Sequence, residues 1–460
     1  MFGFPTQARY LFTQMPQSSD PWPPVGAVDR DLRIAISEFA PGNEVVIDKF
    51  VYRSIGLVGF QPMGTRRPKG LEEPFGRVMK VGLCDVCKNI DERPGQSCGT
   101  CGEVSAYREV ELAFPIGFRS EWARERRRYE SSLDRLSRAS VPRVTVDTSR
   151  MNKHETGGLI VRGGSTVIYS INDNRSQGFK FMRGRGGPSF GWVEVTHASD
   201  LWLDSNSEER NIALGASLTT DVLIAHAIEP RTSAFSHCLP DGNHAAKLVS
   251  TARRAAWTSL AFALRIAATK KLDIEEPELE TGIRFIRDTE SHLLYPEVFL
   301  ADAIENGAGY VSFLAQPREF LDLLNRVEGL IDDWDHEHGC DTSCYACLRD
   351  YSNSNFHPLL DRRLAADALD VLRYGAPRRD RWVETRAHAV EAAIAAFAPT
   401  WACADPFADT PLIETHGQRR VEVIHPLVNR DKDLLNAMAP MLVADVFNLN
   451  RRPGEIYLAV

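Results

Sequence analysis

Seven of the nine cysteines fall in two short runs, and this spacing constrains the fold more than any other feature of the chain. Cys84-Asp-Val-Cys87 and Cys98-Gly-Thr-Cys101 form C-x2-C-x10-C-x2-C. Two residues between cysteines let one tight turn aim both sulfurs at one ion, and two such turns complete a tetrahedral four-sulfur zinc site. Gly99 and Gly102 give the second turn its backbone freedom. A site closed by four sulfurs has no open coordination position, so its role is structural. The competing assignment, redox-active thiols, suits the spacing less well. Cys340-Asp-Thr-Ser-Cys344-Tyr-Ala-Cys347 supplies three more thiols and predicts a second zinc. Its fourth ligand is expected to be His357, with His336, His338 and the remote Cys238 as alternatives; the bland reading is buried free thiols. Cys238 and Cys403 otherwise read as core cysteines.

The chain has 460 residues, enough for about three domains. Its 54 Lys and Arg against 62 Asp and Glu leave a net charge of −8, so any nucleic-acid contact must be local rather than a consequence of overall charge. No apolar run of spanning length occurs, the opening residues do not read as a secretory leader, and a cytoplasmic setting is expected. Absent too are a G-x-x-x-x-G-K-[ST] phosphate loop, an H-E-x-x-H helix, the deaminase pattern and a G-x-S-x-G elbow. The chain is therefore not itself a P-loop motor, and no recognisable catalytic motif remains.

Hydrophobic patterning predicts a multidomain α+β protein. A β-rich region, 1–116, contains the ribbon at 84–101; 117–204 holds a basic helix (Ser120 to Arg138) and β-hairpins, with Asp173-Asn174 as a hairpin signal. A mixed α/β zinc-binding module follows at 205–375, with a strand at Leu218 to Ala225, a long helix over Asn243 to Lys270, a helix over Val311 to Ile331 and another over Leu359 to Leu372. A small C-terminal α/β piece occupies 380–460, where Val383 to Phe397 reads as a helix and Arg420 to Pro426 and Glu455 to Val460 read as strands.

Candidate nucleic-acid contacts are Arg124, Arg127 and Arg128 on the basic helix and Arg183 and Arg185 in a glycine-rich loop, since arginines of this kind reach phosphates. A solvated charged face is the plainer explanation for each. Tyr345 and Tyr351 have the chemistry to stack on a base, although packing beside a cysteine cluster is the more ordinary role.

Cys340, Ser343-Cys344-Tyr345, Cys347-Leu348, Tyr351, Asn353, His357 and Leu360-Asp361-Arg362 together resemble the zinc-binding C-terminal module of MrfA-type superfamily-two helicases, found also in the DrmB subunit of the DISARM antiphage system. Thr219 to Leu223, Ser259 to Leu264, Leu272 to Ile274, Phe299-Leu300 and Ala308 to Tyr310 follow the same order, so the resemblance covers about 170 residues. Phe2 to Arg9 resembles the segment that follows the second motor lobe in such helicases. The resemblance implies a zinc-stapled accessory subunit for a separately encoded helicase, assisting DNA binding in bacterial antiphage defence. The family's four-ligand site is usually of four cysteines, whereas only three are local here. Two other readings compete: a metal-dependent nuclease or hydrolase using Glu422, His425 and Asp431, or Asp361, and a purely structural assembly hub.

Overall fold

The structure is a computed structural model that describes residues 7–460 apart from 18–19, 21, 64–65, 86, 123–126, 131–132, 134–142, 145–147, 149–150, 198–201, 229–243, 288–293, 335–339, 341, 399, 409, 416–418 and 428–440. Its organising element is the 18-residue strand Arg210–Ala227, rich in Leu, Ile, Val and Thr. This strand pairs antiparallel along its length with Leu159–Asn172, from Leu159↔Ala227 to Asn172↔Leu214. It also pairs parallel with Tyr107–Phe114 and antiparallel with Phe179–Arg183 and Leu294–Asp302. Strands from 8 to 302, except Phe60–Met63 and Arg66–Gly70, thereby join one hydrogen-bonded sheet system. Pairings run across the expected divisions at 116/117 and 204/205: Gly117–Ser120 lies beside Ala8–Phe12, and Arg210–Ala227 beside Tyr107–Phe114.

Side-chain alternation along strands gives the sheet two distinct faces. Val161, Leu223, Ala225, Ile283, Phe285, Val298 and Leu300 face the helix His244–Leu272 and share its apolar core. Val222, Ile224, Phe299 and Ala301 belong to the opposite face, with Val144, Met151 and Ile168. The helix is Ala- and Leu-rich and buried nearly all round from Ala252 to Ala268, because the sheet, the helices Pro317–Asp332 and Arg362–Tyr374, and the C-terminal sheet all pack against it. Thr281 donates to the Ala261 carbonyl at 3.0 Å, tying strand to helix. The helix Arg362–Tyr374 starts where the Asp361 side chain accepts from the Arg363 N–H and ends at Gly375, whose φ of 80° suits a left-handed cap.

The C-terminal piece is a four-stranded sheet, Trp401–Cys403, Leu412–Thr415, Arg420–Ile424 and Met441–Asp445, with the last two parallel. Three expectations need correcting. Glu455 to Val460 is not a strand: Pro453–Ala459 is a helix with Pro at its first position, and Tyr457 stacks on Phe397 at 4.5 Å. The strands flanking Asp173-Asn174 do not pair with each other as a hairpin, since both pair with Arg210–Ala227. Of the expected basic helix, Arg127–Arg128 is a short strand paired with Phe50 and Val51, while most of the remainder lies outside the described residues. Among the described residues no helix is long and apolar enough to cross a membrane.

Asp445 caps the helix Val446–Arg451 from a fully buried position, accepting from the Asn448 N–H at 2.9 Å and the Asn448 side chain at 2.6 Å. Burial lifts its carboxyl to about 6, against the pull of the Asn448 donors and of Arg253. The folded chain therefore keeps a proton that the unfolded chain releases near pH 4, and stability falls as pH rises from about 4 to about 6, by up to about 3 kcal/mol. Asp445→Asn keeps the cap acceptor without the ionisation. Its unfolding midpoint is expected to match that of the unmodified chain near pH 4.5 and to exceed it near pH 7; parallel pH profiles would contradict this account.

Candidate metal centres

The first cysteine group grows out of the strand Arg77–Cys84, which ends with Cys84 opposite Tyr107. Two knuckles follow. The Cys87 N–H points at Cys84 Sγ, 3.5 Å away, with Lys88 in the left-handed region at φ 59°. In the second knuckle the Cys98 N–H donates to the Glu103 carbonyl at 2.8 Å and the Gly102 N–H to the Cys98 carbonyl at 2.9 Å, with Gly102 at φ 75°. The four sulfurs all lie within 4.8 Å of one another, and Cys84–Cys101 and Cys87–Cys98 are each 3.5 Å apart. A tetrahedron with metal–sulfur bonds of about 2.3 Å has edges of about 3.8 Å, so this group can hold zinc. Cys84, Cys87 and Cys98 are buried.

Mutual thiol hydrogen bonds, first from Cys101, hold Cys84 and Cys98 below the ordinary thiol range, while thiol contacts push Cys87 and Cys101 above it. Cations and carboxylates pair beside the group: Lys88 and Arg108 flank Asp85, and the buried Arg143 donates to the Asn89 carbonyl at 3.3 Å, the same oxygen that accepts the Cys84 N–H. Burial lowers the Arg143 guanidinium, and Asp173, Asp85 and Cys87 oppose the shift. The Asn89 side chain locks the ribbon to the core by donating to Thr100 and to the Phe285 carbonyl, both at 2.8 Å.

In the second group Cys340, Cys344 and Cys347 also gather within 4.8 Å. The Cys344 N–H points at Cys347 Sγ at 3.1 Å. Burial raises the Cys347 thiol to about 12 and raises Cys340 as well. At Cys344 burial is outweighed by the N–H groups of Ala346 and Cys347 and by the neighbouring thiols, so its thiol lies low. These three sulfurs can hold zinc with one more ligand. His357 does not join them: its Nε2 lies 2.9 Å from Asn353 Oδ1 and 3.0 Å from the Asp350 carbonyl, and its ring stands edge-on to Tyr345. The alternatives His336, His338 and Cys238 lie outside the described residues. Cys403 is half-buried beside the apolar core.

The other residues that carried the family resemblance form the frame of this knuckle. Asn353 accepts from the Asp350 N–H and donates to the Leu348 carbonyl; Ser343 donates to the Leu360 carbonyl; Arg362 donates to the Cys340 carbonyl. Ser259 of the long helix accepts the Asp361 N–H at 3.0 Å, and Arg265 of the same helix pairs with Asp350 and, at 3.2 Å, with Glu276. Tyr345 and Tyr351 are more than 70% exposed, with the Tyr345 ring edge-on to His357.

Arg127 pairs with Glu44 at 2.6 Å, and Arg183 pairs with Glu72 and Glu73 over the Trp192 ring. Arg128 and Arg185 are exposed, and Arg124 lies outside the described residues. Among the described residues named for a hydrolase, Asp361, Glu422 and His425 form no group of ligand atoms. Asp361 is committed to its helix cap and to Arg363 and Arg451; His425 sits 3.2 Å from the buried Asp367; Glu422 is buried in its strand; Asp431 lies outside the described residues. Among the described residues, only the two cysteine groups bring three or more ligand atoms together.

No family model matches the chain. Over 373 residues, 74% of its length, it is 27% identical to Druantia protein DruE of Escherichia coli (strain UMEA 4076-1), and it spans 19% of that relative's length. Among solved structures it aligns with the crystal structure of the DUF1998 helicase MrfA bound to DNA, with a TM-score of 0.33 and 9% identity, over 80% of this chain and 33% of that one.

Proposed function

We propose that the chain is a zinc-stabilised, non-catalytic accessory module that works with a separately encoded superfamily-two helicase, assists its DNA binding, and serves antiphage defence of the Druantia or DISARM kind. The observation that carries this reading is the pair of sulfur groups fixed to one sheet-and-helix core, the second framed by the residues that resemble the helicase-associated module. Sequence similarity to Druantia protein DruE supports the defence setting. The missing phosphate loop supports a division of labour in which ATP is hydrolysed elsewhere.

Each group would hold one zinc ion, bound by Cys84, Cys87, Cys98 and Cys101 in the first and by Cys340, Cys344, Cys347 and a fourth ligand in the second. Bound zinc supplies cross-linking free energy to the two knuckles rather than reactivity. The test is co-purification with a helicase encoded in the same gene neighbourhood, together with elemental analysis. Zinc on the isolated chain, a stable complex and ATP turnover confined to the partner are expected. ATP hydrolysis by this chain alone, or isolation without zinc, would overturn the reading.

A further inference from the structure

The hairpin Phe60–Met63/Arg66–Gly70 stands apart from the large sheet, forming a two-stranded sheet of its own. Its base is anchored. Phe60 is buried against Phe12 with ring centroids 4.9 Å apart, the Leu71 N–H donates to the Gly59 carbonyl, and Gly70 lies so close to the backbone of Pro188 and Ser189 that a Cβ there would sit 2.4 Å from Ser189 N. Beyond the base, Gln61, Pro62, Met63, Arg66, Arg67 and Lys69 are in solvent or largely so.

Positions 60–71 contain three cations and no acid, in a chain of net charge −8. Arg66 and Lys69 have no carboxylate within ion-pair distance among the described residues, and Arg67 reaches the neutral Pro16 carbonyl at 3.2 Å and the Met15 sulfur. The two acids that follow are already engaged: Glu72 by Arg183, and Glu73 by Arg183 and Arg210. The hairpin therefore keeps its positive charge, whereas Arg127 and Arg183 spend theirs on carboxylates. Strand alternation sends Arg66 to one face of the ribbon and Arg67 and Lys69 to the other. A two-stranded ribbon fits the width of a duplex groove, and cations on both faces then meet the phosphates that line its two walls.

We propose that this hairpin is the element through which the chain grips the phosphodiester backbone of duplex DNA. The proposal rests on the DNA-assisting role above and assigns it to residues other than the arginines that the sequence pointed to. The probe is a fluorescent 20-base-pair duplex titrated with the full chain from 50 to 200 mM monovalent salt, comparing the unmodified protein with Arg66→Gln/Lys69→Gln. Both changes are on exposed side chains, and unchanged zinc content and unfolding midpoint verify that the variant folds. At 0.1 M salt the variant is expected to bind ten- to a hundredfold more weakly, and its plot of log affinity against log salt to be shallower by about 2. Equal affinity and slope for the two proteins would overturn the hairpin assignment and leave the DNA role standing. No duplex binding by the unmodified chain at 50 mM salt would overturn both. A polyglutamate probe weakened by the same factor as DNA would mark a general polyanion site and refute the nucleic-acid assignment.

Discussion

Cys98→Ser is expected to strip one equivalent of zinc from the purified chain and to unfold the ribbon locally. Cys98 is 2% exposed, and its sulfur lies 3.5 Å from Cys87 Sγ inside the first group. A serine hydroxyl does not replace a thiolate as a zinc ligand, and a structural site contributes its binding free energy directly to folding, so a loss of more than about 4 kcal/mol is expected. The damage should spread along a defined route. Without the second knuckle, Thr100 leaves Asn89, and Asn89 loses its hold on the Phe285 carbonyl. Hydrogen exchange over 84–107 and at the strand Leu279–Arg287 reads this directly. A variant with the zinc content and exchange pattern of the unmodified chain would refute the four-sulfur site.

Glu297→Gln is expected to cost about 3–5 kcal/mol, because it removes a buried carboxylate that pairs with two arginines at this end of the sheet. Glu297 is fully buried; it pairs with Arg284 on the neighbouring strand and with Arg162 at 3.3 Å. His226 is neutral there. Its Nδ1 donates to the Ala227 carbonyl at 2.8 Å, so its Nε2 accepts from Arg162 at 2.9 Å, and burial lowers its pKa. Glutamine keeps the shape but removes the negative charge that both guanidinium groups face. Chemical denaturation measures the loss. A combined replacement of Glu297, Arg284 and Arg162 by apolar residues should recover much of it, since well-packed apolar substitutes for buried ion pairs are often neutral or better. A Glu297→Gln midpoint unchanged from that of the unmodified chain would refute the charge network.

The cysteine spacings were legible because a ligand set leaves a local mark in the chain, and the long helix because its apolar run extends over many turns. The strand divisions were less so. Gly163 and Gly164 look in sequence like a break between strands, yet the structure runs one strand, Leu159–Asn172, through both. Gly163 is there for clearance: a Cβ would lie 2.6 Å from Ala315 Cβ, and that close approach comes from a residue far along the chain. Arg127–Arg128 went wrong for a related reason, since pairing with Phe50 and Val51 outweighs a local helical period. At Glu455 to Val460 an apolar sequence looked strand-like, but docking of Tyr457 on Phe397 and a proline at the helix start decide the outcome.

Site legibility divides along the same line. His357 resembles a ligand in sequence, but in the fold its ring is hydrogen-bonded within the knuckle. The ion pairs that engage Arg127 and Arg183 join residues 83 and 111 positions apart, so no window of sequence displays them. The hairpin of Arg66 and Lys69 did carry a local signal, three bases without an acid, but its significance depends on where Glu72 and Glu73 are spent.

The bond between the Asn89 amide and the Phe285 carbonyl spans 196 residues. As a ribosome threads the chain out, the amino-terminal ribbon exists long before the strand on which it must close. Sulfur and metal can shape that ribbon at once, from residues already made. A zinc ion bound there would act early, holding one half of a seam in register until translation delivers the other.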